Sequence, residues 1–146
     1  VTPKGFREKS KLVAEYLSDS FAMFRLARTQ CDELIAHCLQ NKFKRIVLVG
    51  VSDFAEIALL SANSEDIEVV AIVDRASNRP QLFGIPIVRE ISDLKEFDAV
   101  IITDMETPQK TFEKLKIHLP ESRILTAPMF RVNRQQLIRK TPARAK

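Results

Sequence analysis

Arg45-Ile46-Val47-Leu48-Val49-Gly50-Val51-Ser52-Asp53-Phe54-Ala55 is the stretch that decides the fold. Ile46 to Val49 form a continuous apolar run that stops at a glycine, the pattern of a strand buried on both faces. From Phe54 to Ser61 the apolar spacing turns helical. A buried strand, a glycine turn and a helix in that order open a parallel α/β sheet.

The residues downstream repeat the alternation. Ile67 to Val73 read as a second buried strand ending at Asp74, and Arg75 to Gly84 as a polar loop. Ile85 to Val88 form a short extended piece, where Pro86, lacking an N–H, suits a sheet edge. Ser92-Asp93-Leu94 open a short turn or helix, and Asp98 to Thr103 form a third strong strand. Thr107-Pro108 supply an N-cap and a first-turn proline for a helix to about Leu119. Arg123 to Thr126 make a last strand, stopped by Pro128. The predicted class is α/β: a Rossmann-like, doubly wound parallel sheet preceded by a long N-terminal helix.

That helix is read from residues 1–40, which hold no proline after Pro3 and no glycine after Gly5. Thr2 suits its N-cap and Pro3 its first turn. Leu17, Phe24, Ala27, Cys31, Leu34 and Cys38 recur at spacings of three, four and seven, a heptad-like seam. Unbroken, such a helix spans roughly 57 Å, more than a small core needs, so the seam is expected to pair two chains as a homodimer. The alternative is two shorter helices, broken at Ser18-Asp19-Ser20 and folded on the core. The expected division is 1–43 linker and dimerisation helix, 44–130 ligand-binding domain and 131–146 basic tail.

Charge follows the same division. Residues 1–45 carry 9 basic and 5 acidic side chains, residues 46–130 carry 8 and 14, and residues 131–146 carry 6 basic and none acidic. An acidic core is a poor nonspecific partner for nucleic acid, and a short basic tail is usually only solvated. The two cysteines, Cys31 and Cys38, lie two helical turns apart, too far for a bond within one chain, and read as small apolar residues in a reducing cytoplasm. No apolar run reaches the length of a membrane span, and no signal peptide is visible.

The site is expected where the strands end. Gly50-Val51-Ser52-Asp53-Phe54-Ala55 takes the place of the fingerprint G-x-G-x-x-G, with Ser52 at the second glycine and Ala55 at the third. Asp53 sits at the helix start, where it suits the dipole but competes with a phosphate for the same amides. The alternative is a tight turn capped by Ser52 or Asp53. Asp74 ends the second strand, where nucleotide-binding versions hold a ribose hydroxyl, and otherwise simply begins a loop. Arg75 and Arg79 could meet a phosphate, and Thr103 and Asp104 close the third strand. Gly50, Ser52, Asp74, Thr103 and Asp104 should converge. His37 and His118 read as helix residues, and neither they nor the cysteines have metal-ligand spacing. There is no nucleophile elbow and no lysine-bearing phosphate loop, so catalysis is not expected.

Val1-Thr2-Pro3-Lys4-Gly5, continued by Phe6-Arg7-Glu8-Lys9 through Tyr16-Leu17, resembles the passage from wing to next helix in MarR-type winged-helix regulators associated with exopolysaccharide genes. The resemblance implies a DNA-reading domain upstream of Val1. Val69 to Asp74, Phe83 to Val88 and Phe97 to Thr103 are similar to the Rossmann-like domains of sugar-modifying acyltransferases, and to CoA- and NAD-binding domains of redox-responsive repressors. These likenesses imply a nucleotide over the first turn. Together they imply the effector-binding and dimerising part of a cytoplasmic transcription regulator, not an enzyme, sensing a nucleotide-sugar, NAD or CoA. The rival expectations are a substrate-binding domain of a sugar-nucleotide-modifying enzyme and a ligand-free scaffold.

Overall fold

The computed structural model describes residues 3–63 and 65–134, with side chains in the first helix from Asp19 onward. The long helix α1 (Pro3–Gln40) is followed by β1 (Arg45–Val49), α2 (Asp53–Asn63), β2 (Glu68–Val73), β3 (Gln81–Leu82) and β4 (Ile85–Val88). The second half holds β5 (Ala99–Ile102), α3 (Pro108–His118) and β6 (Ile124–Leu125). Short 3₁₀ turns occupy Ile91–Asp93, Glu121–Arg123 and Pro128–Phe130.

The sheet order is β3-β4-β2-β1-β5-β6. All neighbours are parallel except β3, which pairs antiparallel with β4. From β1 the chain winds outward through β2 to β4, then crosses back to β5 and β6. The winding therefore reverses between β1 and β5, as in a Rossmann-like sheet. Ile46, Leu48, Ile72, Ile101 and Leu125 point to one face and are buried with α1 and α2. Val47, Val49, Val73, Val100, Ile102 and Ile124 point to the other, with Phe112 and Leu115 of α3. Both faces are covered, which is why these strands read as unbroken apolar runs.

Helix α1 runs through Ser18-Asp19-Ser20 without a break, as the long-helix reading expects and its two-helix alternative does not. Two expectations are corrected here. The lower part of the α1 seam does not face a partner chain: Ala27, Cys31, Leu34 and Cys38 are buried in the chain's own core, beside Ala55, Ala58 and Ala62 of α2. Small side chains on both helices allow that close packing. Phe24 remains exposed, and the Leu17 side chain and Thr2 lie outside the described residues. Pro86 is not at the sheet edge, because Gln81 pairs opposite it and β3 takes the edge. The Phe83-Gly84 turn, with φ of 51° and 82°, folds β3 back on β4. Residues beyond the expected boundary at 130 also bond to the domain. The Gln109 amide donates to Asn133 O at 3.1 Å and accepts from Asn133 N at 2.7 Å. Arg134 donates to the carbonyls of Glu121 and Ile124. Residues 135–146 of the expected tail lie outside the described residues.

Candidate functional site

The switch point forms where β1 and β5 end side by side. Gly50 leaves β1 with φ 116°, and its amide donates to Val73 O at 2.8 Å. A Cβ at this position would stand 2.6 Å from both Cα and N of Asp104. Glycine is thus required by the close approach of the neighbouring strand's end, as well as by the turn.

Thr103 and Ser52 tie the two strand ends together. Thr103 Oγ1 donates to Gly50 O at 2.5 Å, and Ser52 Oγ donates to Thr103 O at 2.5 Å. Ser52 Oγ also accepts from Ala55 N at 3.1 Å, so it caps α2 in the manner of the structural alternative. Ala55 is buried against the sheet, the tight packing expected of the third fingerprint position. The Asp53 and Phe54 amides are the turn's remaining donors. Asp53 lies exposed beside them.

Asp74 faces this turn from the end of β2. Its Oδ2 accepts from Val51 N at 2.8 Å, while Oδ1 accepts from Ala76 N at 2.8 Å and Ser77 N at 3.2 Å. It begins its loop and also holds the first turn, with both oxygens already engaged. Arg75 is drawn outward to Glu90 at 2.8 Å, and Arg79 is exposed in the same loop, its amide on Ser77 Oγ.

Asp104 organises the third loop. Its Oδ1 accepts from the Glu106 and Thr107 amides at 2.9 and 3.2 Å, and its Oδ2 from the Thr107 and Thr111 hydroxyls at 3.1 and 2.7 Å. Thr107 is the residue before α3, yet its hydroxyl serves Asp104 and makes no helix cap. Burial pulls the Asp104 carboxyl upward, but these hydrogen bonds outweigh it and hold the group below the ordinary carboxylate range. Thr111 was not anticipated from the sequence, since nothing marks a threonine one turn into a helix as the partner of an acid seven residues earlier.

At the rim of the switch point, Gly50, Ser52 and Thr103 are joined by hydrogen bonds at the strand ends, Asp104 packs against Gly50, and Asp74 holds the intervening Val51 amide. Arg75 and Arg79 lie beside it without joining it. Two clefts among the described residues lie elsewhere. One of about 540 Å³ runs between α1 and β6, lined by residues including Gln30, Glu33, His37, Thr126 and Arg134. One of about 370 Å³ lies between α2 and the β3–β4 turn, lined by Leu59, Leu60, Ile67, Phe83 and Ile85. Neither was visible in the sequence, because each joins segments far apart in the chain. Among the described residues no group of three or more His, Cys, Asp or Glu is placed to hold a metal, and no helix is long and apolar enough to cross a membrane.

No family model matches the chain, and no solved structure matches it. Among curated proteins it is similar to a 4-hydroxy-tetrahydrodipicolinate reductase of Streptococcus uberis, 35% identical over 71 residues. The similarity covers 47% of this chain and 28% of the reductase, so the match spans little more than a quarter of that enzyme. The parallel sheet and this likeness agree on a Rossmann-like domain. The expectation of a protein that is not an enzyme is overturned: the named relative is a reductase, and the similarity points toward that class.

Proposed function

We propose that this chain provides the nucleotide-binding domain of a reductase-type enzyme, with the nucleotide lying across Gly50–Ala55 at the switch point. The observation that carries the reading is the position of Asp74. It stands at the end of β2, the place from which dinucleotide folds address a ribose, with its carboxylate on the Val51 amide of the first turn. The likeness to a reductase supports a nicotinamide dinucleotide as the first candidate. Nucleotide-sugars and CoA share the same anchoring chemistry: a phosphate at the start of α2 and a ribose near β2. The Asp53 and Phe54 amides would meet the phosphate, Arg75 and Arg79 would offset its charge, and Asp74 would accept from a ribose hydroxyl. Ser52, packed into the rim, would orient the turn and touch no reacting atom.

A thermal-shift series with NADH, NADPH, a UDP-sugar and CoA tests this. A ligand at 100 times its dissociation constant adds about 2.7 kcal/mol of stability. At least one should raise the melting temperature, and Asp74→Asn should reduce the rise. A flat response to all four contradicts the reading.

A second reading concerns how such a site would be used. Phe54 in the first turn of α2 packs its ring 4.7 Å from Phe130, and the adjacent Met129 amide donates to Gln30 Oε1 of α1 at 2.8 Å. This path joins the first turn of α2 to α1, and a regulator in which α1 relays ligand binding to a DNA-reading part is the second reading it would serve. A mobility-shift assay of the parent gene product on its own promoter, with and without the stabilising nucleotide, tests it. DNA affinity indifferent to nucleotide and to Gln30→Ala would contradict it.

A further inference from the structure

Strands β2 and β4 end together. Ile72 and Val73 of β2 pair with Ile87 and Val88 of β4, and the Asp74 amide donates to Val88 O at 2.8 Å. The residues that leave these two strands therefore emerge at the same end of the sheet as the β1–α2 turn, which Asp74 already touches. Arg75 follows Asp74, Glu90 lies just past β4, and Arg75 Nε donates to Glu90 Oε1 at 2.8 Å. The pair is open to water, with side chains 71 and 48% exposed, so it adds little to stability. Its consequence is for local charge. Asp74, Glu90 and Asp93 stand here with Arg75, Arg79 and Arg89, three carboxylates against three guanidinium groups. The guanidinium next to Asp74 in the chain has a carboxylate of its own.

We propose that the nucleotide site put forward above, on which this rests, takes a dinucleotide whose adenosine ribose carries a free 2′-hydroxyl, and that Glu90 turns away the 2′-phosphorylated form. The two ligands ask different things of the chain. A ribose hydroxyl can donate, and a carboxylate such as Asp74 can only accept. A phosphate monoester carries roughly −1.5 to −2 charges near neutral pH and calls for a guanidinium in fork geometry. Arg75 is the guanidinium next to the β2 acid. A phosphate would have to take it from Glu90 and leave that carboxylate unpaired beside a second anion. Three carboxylates against three guanidinium groups leave no excess of positive charge to offset the exchange. Paired with Glu90, Arg75 still lessens the charge of the diphosphate at a distance, where direct contact is not required. Glu90 belongs neither to the glycine turn nor to the end of β2. It selects through Arg75 and touches no reacting atom.

Calorimetric titration of the 146-residue chain with NADH and with NADPH, at one fixed salt concentration, tests the proposal. NADH should bind about tenfold more tightly than NADPH. Glu90→Gln should tighten NADPH about fivefold, leave NADH unchanged and melt like the wild type. Adding Arg75→Gln to that variant should abolish the gain, because the freed guanidinium is what receives the phosphate. NADPH bound as tightly as NADH by the wild type, an unchanged preference in Glu90→Gln, or a gain that survives Arg75→Gln would each overturn the selection and leave the nucleotide site standing. Binding of neither dinucleotide by any of the three proteins would overturn the selection together with the dinucleotide reading of the site.

Discussion

Gly50 and Asp104 meet backbone to backbone between the ends of β1 and β5, so closely that a single added carbon at Gly50 would stand 2.6 Å from the Asp104 Cα. This contact sets the shape of the switch point. It brings the β1–α2 turn against the loop that Asp104 organises, with Thr103 and Ser52 bonding across the join.

Gly50→Ala should therefore be strongly destabilising. The new methyl meets main chain that cannot swing aside, and φ 116° is unfavourable for any L side chain. Strain and overpacking together should cost about 3 kcal/mol. Thermal unfolding should fall by roughly 10 °C. A change under about 2 °C would mean that the two strand ends move apart freely.

Asp104 links the rim to pH. Its folded carboxyl titrates below its unfolded value, so its stabilisation is present above the unfolded pKa of about 4. It is lost as pH falls through the folded value. Denaturant midpoints measured from pH 6 down to 2.5 should decline most steeply below about pH 4. Asp104→Asn should lower the midpoint at pH 6 and flatten that decline. Parallel wild-type and variant curves would show that Asp104 does not carry the effect.

Phe83 is costly where it stands. It occupies a left-handed backbone conformation at φ 51° and is 73% exposed. Two-residue hairpin turns with positive φ at both positions favour Asn-Gly. Phe83→Asn should stabilise the domain by about 0.5–1 kcal/mol. A loss of stability would show that the ring's contacts with the α2 groove outweigh the strain.

The cysteines should be inert in the folded protein. Burial pushes Cys31 up to about 12 and Cys38 up to about 11. At pH 8 the thiolate fractions are roughly one in ten thousand and one in a thousand. An aromatic disulfide reagent should label neither at a rate faster than unfolding, and both at once in denaturant. Rapid labelling of the native chain would place one of them at the surface.

The strands were legible because both faces of the sheet are covered, which writes Ile46–Val49 and Ala99–Ile102 as plain apolar runs. The rim was legible for a topological reason, since strand ends at a winding reversal must converge. The partner of the seam was not legible. A stripe such as Ala27, Cys31 and Cys38 looks the same whether α2 or a second chain covers it. The antiparallel β3 was hidden in a polar loop, because two residues are too few to show a period. Thr111 escaped for want of any local signal. The absence of catalytic motifs was read as absence of catalysis, but a nucleotide domain of a reductase needs no nucleophile of its own.

The central claim is that a nucleotide docks at the switch point. A titration of ¹⁵N-labelled protein with the stabilising nucleotide, followed by amide shifts, tests it most directly. The account predicts saturable changes at Val51 to Ala55 and at Ala76 to Arg79, with Gly50→Ala or Asp74→Asn weakening them. Saturable shifts confined to Gln30, His37, Thr126 and Arg134 in the α1–β6 cleft, or no saturable shift at all, would contradict it.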